Sequence, residues 1–192
     1  SKLLRILNDL DGDFRIRFMT SHPKDCTKEL IETMAECDKV AAHLHLPFQS
    51  GNDRVLKAMN RSYTREKYLS LINYAKELMG DELSITSDII VGFPGETYEE
   101  FLDTVSLAKE IKATSLFTFI YSPRPGTPAA EMDDPVPYEE KSKWMRELLK
   151  VQEEISAEQM ALHKGKTFKC FVYAKGKQGD NYLAARTDGN LI

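Results

Sequence analysis

LSITSDIIVGFPGETYEEFLDTVSLAKEI, residues 83–111, decides the fold. Residues 83–91 are rich in β-branched and aliphatic side chains and read as a strand. Gly92, Pro94 and Gly95 then punctuate a tight loop. Thr97, with Glu100 three positions later, forms a capping box that opens a helix. Along that helix Phe101, Val105, Ala108 and Ile111 make one apolar stripe, while Glu99, Asp103, Lys109 and Lys112 fall away from it. A strand, a glycine-rich loop and an amphipathic helix make a β/α unit whose helix must pack on a sheet.

The same unit recurs on either side. Downstream, SLFTFIY at 115–121 reads as a strand. The long loop SPRPGTPAAEMDDPVP follows, and then a helix of about 25 residues opening near Tyr138 after Pro137. Trp144, Leu148, Val151 and Ile155 give that helix its seam. Upstream, AAHLHL at 41–46 is a strand that Pro47 stops, with a short helix over 53–59 and a second one capped by Thr64. Further upstream, FRIRF at 14–18 alternates as a strand, MTSHPKD connects, and TKELIETMAEC at 27–37 is a helix capped by Thr27. Unit spacing of roughly 30 to 40 residues favours parallel strands joined by right-handed crossovers. The expected class is α/β, with about four parallel β/α units over residues 1–163. A complete eight-unit barrel needs about 250 residues and does not fit within 192. After His163 the texture changes. Residues 167–173 and 181–186 read as two short strands around a glycine-rich turn, the start of a separate β segment over 164–192.

Composition excludes several classes. At 42% hydrophobic and 29% charged the chain is neither disordered nor fibrous, and a formal charge of -4 carries no general pull toward nucleic acid. No run approaches the ~20 apolar residues of a membrane span, and the acidic opening is unlike a secretory leader. Cys26, Cys37 and Cys170 are odd in number and widely spaced, which suits free thiols in a reducing, cytoplasmic compartment and makes no metal motif.

In a parallel β/α layer the ligand crevice lies beyond the carboxyl ends of the strands. The reading above places TSHP, PFQSG, GFPGE and YSPRPGT there. His22 lines that rim or caps a turn. His43 and His45 share one strand face, either as pocket lining with satisfied hydrogen bonds or as a metal pair that lacks a third ligand at motif distance. Gln49 and Ser50 offer short polar groups at a strand end, with turn-holding the alternative for Ser50. Asp88 interrupts a buried strand on the face of Thr86 and needs a partner or a function. Gly92, Phe93, Pro94, Gly95 and Glu96 let backbone approach a ligand but match neither GxGxxG nor GxxxxGK[ST]. Arg17 and Arg124 suit a carboxylate, a phosphate or a surface ion pair. No nucleophile elbow or paired glycosidase carboxylates are present.

At RIRFMTSHP, HLHLPFQSGNDRVLKAMNRSYTREKY, SDIIVGFPGET and FTFIYSPRPGTPAA the sequence closely resembles radical S-adenosylmethionine methylthiotransferases, and among them the MiaB-like tRNA branch. The resemblance spans nearly the whole chain. It implies a partial radical-SAM β/α barrel followed by the beginning of a TRAM-like RNA-binding domain. It further implies an enzyme that transfers a methylthio group to C2 of N6-isopentenyladenosine at tRNA position 37. Such enzymes use S-adenosylmethionine, two 4Fe-4S clusters and an electron donor, and act on the anticodon stem-loop. Carried over residue by residue, Arg17, Gln49, Ser50, Asp88, the 92–96 loop, Tyr121 and Pro123 fall on the cofactor side. His22, His43, His45, Arg124, Lys164, Lys166 and Arg186 fall on the substrate side, the last three toward tRNA phosphates. The family's CxxxCxxC loop is absent, so the expectation is a fragment that is inactive alone, with exposed sheet edges that favour intermolecular packing. A catalytically incomplete RNA-binding or structural module of the same fold, and a methylthiotransferase of another substrate branch, are the alternatives.

Overall fold

The computed structural model describes residues 1–19, 21–177, 179 and 181–189. Thr20 of the TSHP connector and positions 178 and 180 of the glycine-rich turn lie outside them.

Three parallel strands form the sheet in sequence order, β1 (His43–His45), β2 (Ser84–Val91) and β3 (Ser115–Ile120). The register pairs His43 with Ser84, Thr86 with Ser115, Asp88 with Phe117 and Ile90 with Phe119. The helices in chain order are α1 (Lys2–Asn8), α2 (Lys28–Glu36), α3 (Asp53–Ala58), α4 (Arg65–Met79), α5 (Tyr98–Ile111) and α6 (Tyr138–Ala161). Neighbouring parallel strands follow chain order, with helices packed against the sheet, which makes the described residues an α/β layer.

Local chemistry explains each boundary. The Thr27, Asn52, Thr64 and Thr97 side chains all accept N-cap hydrogen bonds, and Thr97 and Glu100 close the capping box reciprocally. Lys112 ends α5 in a left-handed conformation. The stripe of α5 is buried as its spacing requires, and so is the seam Trp144, Leu148, Val151 and Ile155 of α6. Trp144 stacks on Phe101 at 5.5 Å between ring centroids, which locks α6 to α5. Beneath the helices, Leu44, Leu46, Ile85, Ile89, Val91 and Leu116 supply the sheet's side of the core.

Two expectations are modified. FRIRF contributes one parallel bridge, Ile16 to Val40, rather than a strand, because only Ile16 exchanges ladder hydrogen bonds, with Lys39 and Ala41. The hydrogen-bonded sheet is therefore three strands wide, with the first unit attached at its edge. In addition, α1 forms where no helix was expected. It buries none of its residues and is tied down by the Arg5–Glu36 ion pair. The terminal segment forms an antiparallel hairpin of β4 (Cys170–Lys175) and β5 (Leu183–Thr187) with an irregularity at Val172–Ala174.

Candidate functional site

The carboxyl ends of the strands are stitched together by backbone. Gln49 adopts φ 64°, a left-handed conformation unusual for a residue with a side chain. Its N–H donates to the Asp88 carbonyl and its carbonyl accepts from Ile90, each at 2.9 Å, which extends the β1–β2 ladder past Pro47. Ser50 is completely buried. Its Oγ lies 3.4 Å from Thr104 Oγ1 and accepts from the Asn52 N–H, so it holds the turn against α5. Gly51 N–H donates to the same Thr104 hydroxyl at 2.8 Å.

The 92–96 loop closes on itself. Glu96 is 1% exposed, and its Oε2 accepts from the Gly92 and Phe93 N–H groups at 2.6 and 3.2 Å, while Oε1 has no partner among the described residues. Burial pushes its carboxyl up to about 7, the two amide hydrogen bonds opposing the shift. The Gly95 carbonyl accepts from Arg54, whose guanidinium also forks onto Glu100. Lys141 from α6 lies under Gly92, where its Cγ and Cδ occupy the space a Cβ would need. Its Nζ, itself buried, pairs with Asp134 at 2.5 Å and sits 5.8 Å from the Tyr121 ring. Tyr121 packs edge-on against Phe93 at 5.3 Å, and its hydroxyl is buried without a partner among the described residues.

Opposite the helices, the sheet presents its second face. The alternation of β2 and the register place His43, His45, Thr86, Asp88, Ile90, Phe117 and Phe119 on it. Thr86 Oγ1 lies 2.9 Å from His43 Nε2 and 2.9 Å from His45 Nδ1. His45 Nε2 faces Asp88 Oδ1 at 3.5 Å. A proton on that nitrogen leaves His45 Nδ1 to accept from the Thr86 hydroxyl, which in turn accepts from His43, so every donor in the row points toward Asp88. Burial, reinforced by Arg17, His45 and Arg186, lowers the His43 ring to about 4, and it stays neutral near pH 7. Phe117 and Phe119 are half exposed at the edge of the sheet. This face offers one polarised carboxylate, midway along β2, among apolar and aromatic surface.

Other expected site residues lie elsewhere. His22 does sit at the rim: Ser21 N–H donates to the His45 carbonyl, and the ring lies 3.2 Å from Arg61 Nη1 and edge-on to Tyr63. Pro123 and Arg124 are exposed in the loop after β3. Arg17 is at the base of the sheet, beside His43 and the hairpin, where its Nη2 donates to the Thr187 carbonyl. The length of β2, at about 3.3 Å per residue, separates that base from the rim. Arg186 is there too, 5.1 Å over the Tyr173 ring. Lys166 pairs with Asp81 beside a crevice of about 670 Å3 between Gly80–Ile85 and the start of the hairpin, and Lys164 is exposed nearby. Thr86, Phe117, Phe119 and Lys141 join the site without having been singled out from sequence. The period-two alternation of SLFTFIY was the available signal for the two phenylalanines, whereas Lys141 enters from a distant helix that only the folded chain brings under the loop.

Among the described residues no cluster of three or more His, Cys, Asp or Glu side chains could hold a metal ion. Cys26 and Cys37 are buried and Cys170 is exposed, all three as free thiols. Nor is any described helix long and apolar enough to cross a membrane.

Residues 1–108 match the Radical SAM superfamily. The chain is 46% identical over its whole length to the tRNA-2-methylthio-N(6)-dimethylallyladenosine synthase of Clostridium botulinum, and covers 43% of that protein. It is 48% identical over 99% of its length to the synthase of the same name from Alkaliphilus oremlandii, and covers 40% of it. The chain thus spans well under half the length of these curated relatives. Two solved structures share the fold. They are coproporphyrinogen III oxidase HemN from Escherichia coli, a radical SAM enzyme (TM-score 0.61, 20% identity, covering 80% of this chain and 36% of that one), and Elp3 from Methanocaldococcus infernus (TM-score 0.51, 20% identity, covering 67% and 30%).

Proposed function

The chain belongs to the radical SAM superfamily, and from that membership we propose that it is part of a tRNA-modifying enzyme that transfers a methylthio group to C2 of N6-isopentenyladenosine at position 37 of the anticodon loop. What carries the reading is unbroken similarity, 46% over the full chain, to synthases named for that modification. The second face of the sheet gives the reading a place.

In this reading residues 1–163 are about four units of a radical-SAM barrel wall, and 164–192 begin an RNA-binding β domain of the TRAM type. The wall suits S-adenosylmethionine in its chemistry. It offers apolar and aromatic surface for a nucleoside, the Asp88 carboxylate for hydrogen bonding or a nearby positive charge, and an unpartnered buried Tyr121 hydroxyl. When bound, that cofactor supplies the methyl group and the hydrogen-abstracting chemistry of the superfamily. Gln49, Asp88, Phe117 and Tyr121 would face it. Ser50, Gly92–Glu96 and Lys141 act one layer back by fixing the backbone that carries them. His45 orients Asp88, and Thr86 fixes the tautomer of His45. The iron–sulphur clusters do not fit the cysteines of this chain, which stand singly, two of them buried. His22 and the Pro123–Arg124 loop border the same rim, where a target base turned out of the RNA stack would enter.

Titration of the 192-residue chain with an isopentenyl-bearing anticodon stem-loop tests this reading. At about 200 mM salt, where phosphate attraction is screened, binding is expected to be at least about tenfold tighter than to an unrelated hairpin of equal length. Equal affinities would leave only backbone electrostatics and count against the proposed substrate.

A further inference from the structure

Where the hairpin meets the base of the sheet, three guanidiniums gather around one carboxylate. Arg15 Nε donates to Asp188 Oδ1 at 2.7 Å, which engages that carboxylate. Arg17 and Arg186 lie beside it, and Arg17 feels the repulsion of Arg186 and Arg15 and the attraction of Asp188. His43, facing them from β1, adds no counter-charge. Arg17 uses Nη2 on the Thr187 carbonyl, but its Nη1 and the Nε of Arg186 are both buried without an acceptor among the described residues. A buried donor of a charged group left without an acceptor is unfavourable, and neighbouring guanidiniums repel each other. One oxyanion between them removes both costs. Each arginine is half-buried, with the rest of its surface in solvent.

We propose that Arg17 and Arg186 together hold one phosphate group, at a site built jointly by the first β/α unit and the C-terminal hairpin. Paired planar forks match the tetrahedral oxygens of a phosphate, and three guanidiniums against the single Asp188 carboxylate leave an excess of positive charge that favours phosphate over a singly charged carboxylate. The site is distinct from the rim and lies at the other end of the sheet. Its phosphate comes either from a free phosphate-bearing molecule or from an RNA backbone. The second source rests on the functional reading above, and the site itself does not. With RNA as occupant, the contact would set the angle at which the hairpin lies against the barrel wall while RNA is bound, since the same Arg17 already ties the two together.

Calorimetric titration of inorganic phosphate into the 192-residue chain at low ionic strength tests the site, with acetate at equal ionic strength as the reference anion. One phosphate per chain is expected to bind saturably, and acetate is not. R186Q and R17Q are each expected to weaken phosphate at least tenfold, R186K less, because it keeps the charge and loses the fork, and K150Q on α6 not at all. Circular dichroism of each variant establishes that it is folded, and R186K keeps the test meaningful if R17Q is not. Absence of saturable phosphate binding, acetate binding as tightly, or undiminished binding in folded R186Q would overturn the site. Adding the anticodon stem-loop then separates the sources. Displacement of phosphate makes the occupant RNA backbone, whereas undisturbed phosphate binding upholds the site with a free phosphate ligand and removes RNA from it.

Discussion

Replacing Gly51 by alanine is expected to cost about 3 kcal/mol of folding stability, the upper end of the overpacking range. A Cβ at Gly51 would lie 2.6 Å from Asp103 C and Thr104 Cα, and closer still to the Asp103 carbonyl oxygen. All three are backbone atoms in the middle of α5. No side chain can rotate away, so either the turn or the helix must move. The turn is fixed by Gln49 in the ladder and by Ser50 and Gly51 on the Thr104 hydroxyl, and the helix by Trp144 stacked on Phe101. Gly95→Ala is the control. Gly95 has φ +72°, and a Cβ there would meet nothing within 4 Å, so only backbone strain is paid, about 1 kcal/mol. Urea unfolding of the two variants should show the Gly51 midpoint falling well below that of Gly95→Ala. A Gly51 variant as stable as Gly95→Ala would mean that the turn and α5 do not approach this closely.

The second large effect is a pH dependence carried by Glu96 and opposed by His43. The Glu96 carboxyl rises from 4.5 to about 7 on folding. Between those values the folded state holds a proton that the unfolded state has lost, so stability from this group is full below pH 4.5 and is lost as pH rises through 7. The whole change is about 3 kcal/mol. His43 falls from 6.5 to about 4. In that window the unfolded ring is charged and the folded ring neutral, so its contribution grows as pH rises, by about 1 to 2 kcal/mol after allowance for partial exposure. From pH 4.5 to 6.5 the two slopes oppose each other, and above 6.5 only the loss at Glu96 remains. Glu96→Gln retains an oxygen for the Gly92 and Phe93 amides and stays neutral at every pH. It is expected to leave stability near pH 5 little changed, to gain about 3 kcal/mol over wild type by pH 8, and to uncover the rising His43 slope. Parallel wild-type and variant stabilities from pH 5 to 8 would show that Glu96 ionises normally in the fold.

These residues also mark what was legible in the sequence. The α5 capping box, the stripes of α5 and α6 and the place of the rim loops rest on local spacing, which a linear reading contains. FRIRF looked like a strand because its alternation is real, but pairing is a property of two segments and only Ile16 finds its partner. Ser50 read as a ligand contact because its chemistry is apt. Its burial against Thr104 depends on α5, more than 50 residues on. Glu96 looked like part of a ligand-binding loop, and its link to the Gly92 amide became visible only in the closed turn. Arg17, which the family resemblance places on the cofactor side, lies at the base beside Arg186, which reaches it through the hairpin's return.

On the proposed function, the sheet face around Asp88 serves a tRNA methylthiotransferase. The most direct test is nucleoside mass spectrometry of total tRNA from a bacterium that lacks its own such enzyme and expresses the full-length gene of which this chain is a part. Wild type is expected to convert N6-isopentenyladenosine to its 2-methylthio form, and Asp88→Asn, expressed to the same level, to lower that product at least tenfold. Isopentenyladenosine left unconverted by the wild-type gene, or full conversion by Asp88→Asn, would contradict it.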